Sequence, residues 1–198
     1  MIEEIGGSQA EYTRQQQWSH FATLLVAVFA LLFGLNMRAN TLNATTLYDN
    51  LQAGVRVNYP ANWLIDERGD YVFRVRDMTR IGYKTSMQIA TQPVGDATSE
   101  SFVQNQLDLR RALTRGEYTR LSSEPFTLPD DISALRTEYT FVSKEINPFA
   151  EPVLIPVRGV DIITLQGGQA IVITFLADAL TFAEDVTIFE RFLNNLEF

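Results

Sequence analysis

The stretch at 153–176, VLIPVRGVDIITLQGGQAIVITFL, decides the fold of this chain. Two runs rich in branched apolar residues flank the sequence Gln166-Gly167-Gly168-Gln169. Such runs favour β-strands, and the two glycines tolerate the positive φ that a tight two-residue turn requires. The stretch therefore predicts an antiparallel β-hairpin.

Alternating apolar and polar residues, the pattern of a half-buried strand, recur upstream of this hairpin. Val55, Val57 and Tyr59 follow the pattern until Pro60 interrupts it. The same pattern predicts strands at 63–66, 71–76, 86–94, 118–122 and 135–142, with a turn at Gly95-Asp96 and a loop at 143–152. Because this alternation places polar residues on one face of the sheet, which is then solvent-exposed, these strands predict an antiparallel sheet.

Helical spacing between residues 99 and 115 predicts a helix between the strands. Thr98 or Ser99 can cap its start, and Gly116 can end it. Its shared apolar face is predicted to consist of Phe102, Leu109, Ala112 and Leu113, broadened by Val103 and Leu107.

The C-terminal residues predict a second helix, which makes the soluble part an α+β domain. Thr181 and Glu184 have the spacing of a capping box. Apolar residues at spacings of three and four form one stripe, which we expect to pack on the sheet. This stripe consists of Phe182, Val186, Phe189, Leu193 and Leu196.

Residues 21–35, FATLLVAVFALLFGL, carry no charge and predict a transmembrane helix. With its flanks the predicted span is 18–37, and about twenty helical residues reach about 30 Å, the thickness of the hydrocarbon core. Trp18 suits the membrane interface, and Arg14 and Arg38 bracket the span as charged stops.

Two other interpretations of this segment are weaker. A cleaved signal peptide begins with basic residues, whereas this N-terminal arm carries Glu3, Glu4 and Glu11 against Arg14. A buried core helix is amphipathic, whereas this segment is apolar on every face.

The packing and the orientation of the span stay open at this point. Ala27, Ala30 and Gly34 are small residues at spacings that let another helix approach, although alanine is also common in lipid-facing helices. The nearest basic residues, Arg14 and Arg38, lie on opposite sides, so the positive-inside rule gives no orientation.

The composition excludes several classes of function. The chain has no cysteine, which excludes disulfides, thiolate metal sites and a catalytic thiol. Its formal net charge of −8 argues against nucleic-acid binding, which needs a concentrated basic surface. The single histidine, His20, falls in the predicted membrane helix, so a Ser-His or Cys-His pair is impossible elsewhere. We expect no cofactor, and an enzyme that uses only Asp, Glu, Tyr or Lys stays a minor alternative.

Three other kinds of site have weaker support in the sequence. The acidic residues at 129–131 and at 66–70 could contribute to a weak calcium site, but no loop has EF-hand spacing, so no metal is expected. A Ser-Lys pair would need Lys84 or Lys144, and neither lies in a recognisable motif. A ligand pocket between sheet and helix could be lined by Trp63, Tyr71, Phe73 and Tyr139, although core packing also explains these residues.

One basic group could serve as a partner surface. Arg74, Arg76, Arg80 and Lys84 are predicted on or near the outer face of the sheet, where they could dock an acidic partner or lipid headgroups. An equally good interpretation is that these are ordinary solvent-exposed strand residues that form ion pairs with nearby acidic residues.

Two motifs of the soluble part are distinctive. In Val57-Asn58-Tyr59-Pro60-Ala61-Asn62-Trp63 a strand runs into a tyrosine-proline step and a tryptophan near the domain start. Residues 189–198, FERFLNNLEF, form the closing helix and a final aromatic residue. With these motifs and this order of strands and helices, residues 54–198 resemble the PsbP-like family. The resemblance implies a central antiparallel sheet between helical layers.

The resemblance also implies a role. Domains of this kind commonly attach to membrane complexes of photosynthetic electron transfer on the lumenal or periplasmic side, as assembly or stabilising subunits. Known members are usually soluble, imported or lipid-anchored, and this chain departs from them by its uncleaved helix.

The expected organisation is a polar arm at 1–17, a transmembrane helix at 18–37, a linker at 38–53 and the PsbP-like domain at 54–198. The expected function is a non-catalytic accessory or assembly subunit of a photosynthetic or respiratory membrane complex, with its domain outside the cytoplasm. Its expected partners are integral membrane subunits and the lipid bilayer, with no nucleic acid and no small-molecule substrate. The alternative is a membrane-tethered ligand-binding or sensory module.

Overall fold

The structure, a computed structural model, describes residues 14–50, 54–95, 98–145 and 153–197. The chain divides into two units, Met1–Ala44 and Thr45–Phe198. Most of the N-terminal arm, Asp96 of the predicted turn, the centre of the predicted 143–152 loop and Phe198 lie outside the described residues.

The described part of the first unit is one long helix, α1 (Arg14–Leu42). Its segment Trp18–Thr41 is long and apolar enough to cross a membrane. The side chains from residue 18 to residue 41 are all exposed. The predicted span at 18–37 lies inside this helix, which continues beyond the predicted end.

The predicted linker at 38–53 is wrong in its described part. Helix α1 takes its first residues, and β1 (Thr45–Asn50) then pairs with β2 (Val55–Pro60) as an antiparallel hairpin. Strand β1 is polar except at Leu47 and Tyr48, and the buried Tyr48 ring stacks on a core phenylalanine, Phe73, at 4.7 Å. Because only one side chain of β1 is buried, the strand shows no alternation of apolar and polar residues, and the sequence pattern did not predict it.

The second unit is built on a seven-stranded antiparallel sheet in the order β3-β4-β5-β9-β8-β7-β6. Its strands are β3 (Leu64–Asp66), β4 (Phe73–Arg76), β5 (Ser86–Pro93), β6 (Gly116–Leu128), β7 (Ile132–Glu145), β8 (Val153–Gln166) and β9 (Gln169–Asp178). The two helices of this unit are α2 (Glu100–Thr114) and α3 (Phe182–Leu193). The predicted α+β fold is confirmed, and β6 and β7 are much longer than predicted.

The predicted glycine hairpin is confirmed, and its strands, β8 and β9, are neighbours near the middle of the sheet. Gln166 pairs with Gln169, and the two residues between them, Gly167 and Gly168, have φ values of 55° and 75°. Because both turn positions need positive φ, only glycine adopts this turn without strain.

One face of the sheet carries the main hydrophobic core. Helix α3 packs there through Phe189, whose ring stacks on Phe175 of β9 at 4.9 Å. The hairpin of β1 and β2 contributes to the same core, and Trp63 of the tyrosine-proline-tryptophan motif is buried in it. The predicted stripe on α3 is therefore the packed face. The predicted capping box is not formed, because Thr181 donates its hydroxyl to Asp185 instead of bonding a backbone N–H.

The opposite face is covered in part by α2, whose start is capped by Ser99. The predicted apolar face of α2 is only partly right. Phe102, Leu109 and Leu113 are exposed, whereas Val103 is buried and Leu107 packs beside it. The other buried residue of the helix is polar, Gln104. Polar side chains of the sheet beneath α2 explain the difference, since they draw polar residues of the helix inward.

Candidate functional site

Helix α2 leaves part of its side of the sheet uncovered, and a cleft of about 360 Å³ lies there. Side chains alternate between faces along a strand, so Ser86 and Gln88 of β5 lie on the same face as their cross-strand partners Arg76 and Arg74. Because these four residues are charged or polar, the cleft has a hydrophilic floor.

The walls of the cleft come from segments distant in sequence. The β4–β5 loop supplies Tyr83 and Lys84, and Arg115 follows directly after the end of α2. Strand β7 supplies Lys144 with its neighbour Ser143. Five Lys and Arg residues therefore line one cleft, namely Arg74, Arg76, Lys84, Arg115 and Lys144.

The predicted basic group is partly brought together. Arg74, Arg76 and Lys84 line the cleft, but Arg80 does not. The Arg80 guanidinium donates to the buried carboxylate of Asp185 on α3. Sequence reasoning missed Arg115 and Lys144, because no local pattern links them to β4.

One carboxylate neutralises part of this charge. Arg74 Nη2 donates to Asp66 Oδ2 at 2.7 Å, and Arg76 Nη2 lies 3.8 Å from the same oxygen. The hydrogen bond from Arg74, together with the backbone N–H of Arg68, holds the pKa of Asp66 well below its usual range. Asp66 therefore stays ionised, but a single charge is shared between two guanidinium groups.

The other cations of the cleft have no ion pair with an acidic residue in the described part of the chain. Lys84 Nζ donates to the backbone carbonyl of Arg80, and the Arg115 guanidinium lies over the Phe141 ring at 4.2 Å. Burial raises the pKa of the Tyr83 phenol, and the adjacent Arg115 opposes this rise. Tyr83 thus remains a neutral hydrogen-bond donor beside the cations.

A separate polar cluster is buried between α2 and the sheet. Asp161 of β8, wholly buried, accepts hydrogen bonds from Arg111 Nη2 at 3.0 Å, Thr174 at 2.8 Å and Tyr139 at 3.3 Å. Burial, with Asp161 as the nearest charge, raises the pKa of Tyr139 well above 10. Because the Asp161 side chain is inaccessible, this cluster fixes α2 on the sheet rather than forming a reaction site.

The other candidate residues have simpler surroundings. Trp18 and Arg38 are exposed on α1, and Arg14 is its first residue. The three small residues, Ala27, Ala30 and Gly34, are exposed as well, and a Cβ added at Gly34 would meet open space.

The described residues form neither a grouped metal site nor a pocket lined by the named aromatic residues. Within the described part of the chain, no three His, Cys, Asp or Glu residues are grouped to hold a metal ion. Trp63, Phe73 and Tyr139 are buried in hydrophobic clusters, so their aromatic rings serve as core rather than as pocket lining. Tyr71 instead lies under the Arg74 guanidinium at 4.6 Å.

Solved structures show what class of fold this is. No family model and no curated protein matches the chain. Cyanobacterial PsbP (CyanoP) from Synechocystis sp. PCC 6803 matches with a TM-score of 0.59 at 11% identity, over 78% of this chain and 92% of that chain. The second unit therefore has the PsbP-like fold, as the motif around Tyr59 and Trp63 predicted.

Two further structures are similar at a lower level. PA94 from Pseudomonas aeruginosa, a protein of unknown function, has a TM-score of 0.49 at 11% identity, over 77% of this chain and 95% of that chain. LpqN of Mycobacterium tuberculosis, involved in cell envelope biogenesis, has a TM-score of 0.48 at 10% identity, over 78% of this chain and 90% of that chain. At these identities the likeness concerns the fold alone.

Proposed function

We propose that this chain is a membrane-anchored, non-catalytic accessory subunit of an energy-transducing membrane complex. The observation that carries the proposal is the exposure of every side chain from residue 18 to residue 41 on an apolar helix, whose residues 18–37 include no Asp, Glu, Lys or Arg. A water-exposed apolar surface of this size is costly, and a bilayer is the environment that covers all sides of a helix. About 24 residues at about 1.5 Å each reach about 36 Å, more than the roughly 30 Å hydrocarbon core.

The chemistry of the domain supports a role without catalysis. The chain has no cysteine, and its one histidine, His20, lies on α1. The buried Arg111–Asp161 pair is shielded from substrates by α2. The basic cleft supplies Lys and Arg side chains, which are hydrogen-bond donors suited to binding an anion.

The domain also has an apolar surface suited to another subunit. Phe102, Leu109 and Leu113 recur on α2 at spacings of seven and four, and all three are exposed. We propose that the extramembrane part of a partner subunit covers this stripe. Anchorage in the same membrane would keep the partner at high effective concentration, so a small apolar contact suffices.

The photosynthetic or respiratory setting rests on the likeness to cyanobacterial PsbP, with the domain placed on the lumenal or periplasmic side. In that topology the arm before Arg14 is cytoplasmic, and Trp18 and Arg38 lie near the two membrane interfaces. Ala27, Ala30 and Gly34 then contact a helix of the complex.

The decisive experiment is extraction of the membranes with a gentle detergent. We expect the chain to migrate in a large assembly, together with integral subunits. Gly34→Leu should release it from the assembly, whereas Val28→Leu, on another side of α1, should not. A monodisperse monomer at every detergent strength would refute the proposal.

A second experiment tests the docking stripe. Leu109→Ser with Leu113→Ser removes exposed apolar surface, so the domain should remain folded while the assembly weakens. The control is Ile81→Ser, an even more exposed apolar residue in the β4–β5 loop. Equal loss of assembly in both variants would show that α2 is not the contact.

Topology has its own test. Protease added outside cells stripped of any outer barrier should digest residues beyond Arg38 and leave the N-terminal arm intact. Protection of the domain with cleavage of the arm would reverse the topology.

The alternative function is a tethered ligand-binding module, and the basic cleft is the observation that favours it. Under this alternative the chain would extract as a free monomer and still bind an anion. Assembly and anion binding are therefore separable measurements.

A further inference from the structure

The basic cleft concentrates positive charge in a chain whose net charge is negative. The protein has a net charge of −8, yet five of its 16 Lys and Arg residues line this one cleft. No acidic residue is found among the described residues that line it, and Asp178 lies just beyond Gly82 at the rim. Clustered like charges repel one another, so an arrangement of this kind is favourable when an anion occupies it.

Part of the hydrogen-bond capacity of the cleft is also unused. Arg74 Nε and Arg76 Nε are buried and have no partner among the described residues. Arg76 has a distant ion pair with Asp66 and no closer acceptor in the described part of the chain. Buried donors are almost always satisfied in native proteins, so unfilled guanidinium donors indicate a missing acceptor.

The elements that hold the cations are firmly built. Arg74 and Arg76 lie on β4, which pairs on both sides with β3 and β5. Lys84 is held by the Arg80 carbonyl, and Arg115 by the Phe141 ring. Cations placed in advance lose little conformational freedom when they bind, which favours a specific site over a diffuse basic surface.

We propose that the basic cleft binds a phosphate-bearing ligand. A carboxylate carries one negative charge, whereas a phosphate monoester carries about −1.5 to −2 at neutral pH and offers three acceptor oxygens. Even after Asp66 is counted, the cleft presents a surplus of several positive charges. Arginine guanidinium groups match phosphate oxygens through paired N–H donors.

The size of the cleft indicates more than a bare ion. Its volume of about 360 Å³ lies within the range of small-molecule pockets, about 300 to 1,000 Å³. Ile155 and Leu176 contribute apolar lining beside the cations, and Tyr83 contributes a ring with a neutral hydroxyl. These residues would contact the organic part of a phosphate ester, whether a soluble metabolite or a lipid headgroup.

The proposal does not rest on the accessory-subunit function, because every residue it uses lies in the second unit. The test uses the full chain in a neutral detergent, with binding measured by calorimetric titration. Two probes distinguish the source of the phosphate: glycerol 1-phosphate and a short-chain phosphatidic acid. Short-chain phosphatidylcholine is the zwitterionic reference, because its phosphodiester is balanced by choline and the lipid has no net charge. We expect saturable binding of at least one of the two phosphate probes, weakened by salt.

Variants locate the site. Arg76→Gln and Arg115→Gln should each raise the dissociation constant roughly tenfold or more, since each removes a charge-assisted contact. Arg110→Gln, an exposed arginine on α2 outside the cleft, is the matched control and should bind as the wild type does. Lys144→Gln, at an exposed position, provides a further cleft variant in which folding is not at risk.

Each outcome decides the proposal. Equal affinity for the two phosphate probes would support it and identify a soluble phosphate ester, whereas preference for phosphatidic acid would support it and identify a lipid headgroup. Binding of neither probe would overturn it, as would equal weakening by Arg110→Gln. Cleft-dependent binding of a polyglutamate peptide in place of both probes would also overturn it, in favour of an acidic protein partner.

Discussion

Replacement of Asp161 by asparagine should destabilise the domain strongly, because the buried Arg111 would lose its counter-charge. The Asp161 side chain is fully buried and Arg111 is only 12% exposed. Burial alone would lower the pKa of Arg111, but Asp161 and Tyr139 outweigh this and raise it, so the guanidinium stays charged. The variant therefore leaves a buried, unpaired cation.

The size of the effect follows from this burial. Removal of one partner from a buried ion pair costs about 3 to 5 kcal/mol, and asparagine retains some hydrogen bonds, so about 3 kcal/mol is expected. For a domain near 150 residues, 1 kcal/mol shifts the melting temperature by about 2 to 4 °C. Asp161→Asn should therefore lower the melting temperature by about 6 to 12 °C.

The assay is thermal unfolding of the full chain in neutral detergent, followed by the fluorescence of Trp63. A Trp18→Phe background removes the other tryptophan, and Trp63 is buried in the core. Glu197→Gln is the matched control, because its ion pair with Arg56 is exposed and should contribute less than about 1 kcal/mol.

A double-mutant cycle tests the reasoning. Because Arg111→Met removes the buried cation, the double variant Arg111→Met with Asp161→Asn should recover much of the lost stability. If the two losses simply add, or if Asp161→Asn shifts the melting temperature no more than Glu197→Gln, the pair does not stabilise the fold as argued.

Three other changes have defined outcomes in the same unfolding assay. Gly159→Ala places a Cβ 2.5 Å from the ring of its cross-strand tyrosine and should cost about 1 to 3 kcal/mol; an unchanged melting temperature would contradict the close packing. Burial acts to raise the pKa of Glu138, but hydrogen bonds from Arg158 and Arg136 outweigh it and hold the pKa below 4.5. A carboxyl group whose pKa is lowered in the folded state stabilises the fold at pH values above its ordinary pKa. The stability advantage of wild type over Glu138→Gln should therefore shrink as pH falls below about 4.5, and a difference that stays constant with pH would contradict this prediction. Phe189→Ala should cost about 3 to 5 kcal/mol through a core cavity, and a loss below about 1 kcal/mol would show that the site can collapse.

The sequence was sufficient for the features that depend on neighbouring residues. The Gly167-Gly168 turn requires positive φ at two adjacent positions. The apolar stripe on α3 follows from residues three and four apart in one short segment, and it packs on one face of the sheet. Both are local patterns, and both are present in the structure. The motif from Val57 to Trp63 predicted the fold because its aromatic residues enter the main core.

The features that the sequence did not reveal depend on residues from separate segments. The inward face of α2 is partly polar because Asp161, some fifty residues later in the chain, lies beneath Arg111. For this reason the spacing of apolar residues along α2 did not by itself identify the face that packs on the sheet. The cleft likewise takes Arg115 from the end of α2 and Lys144 from β7, and only the strand order places them near β4.

The contacts of Asp185 link the two sides of the sheet mechanically. This buried carboxylate on α3 bonds Arg80 and Thr85, which stand near the two ends of the segment that contributes Tyr83 and Lys84 to the cleft. The segment between them cannot shift far unless these bonds to α3 break. A loosening of the closing helix would therefore reach the opposite side of the domain as a change in cleft shape.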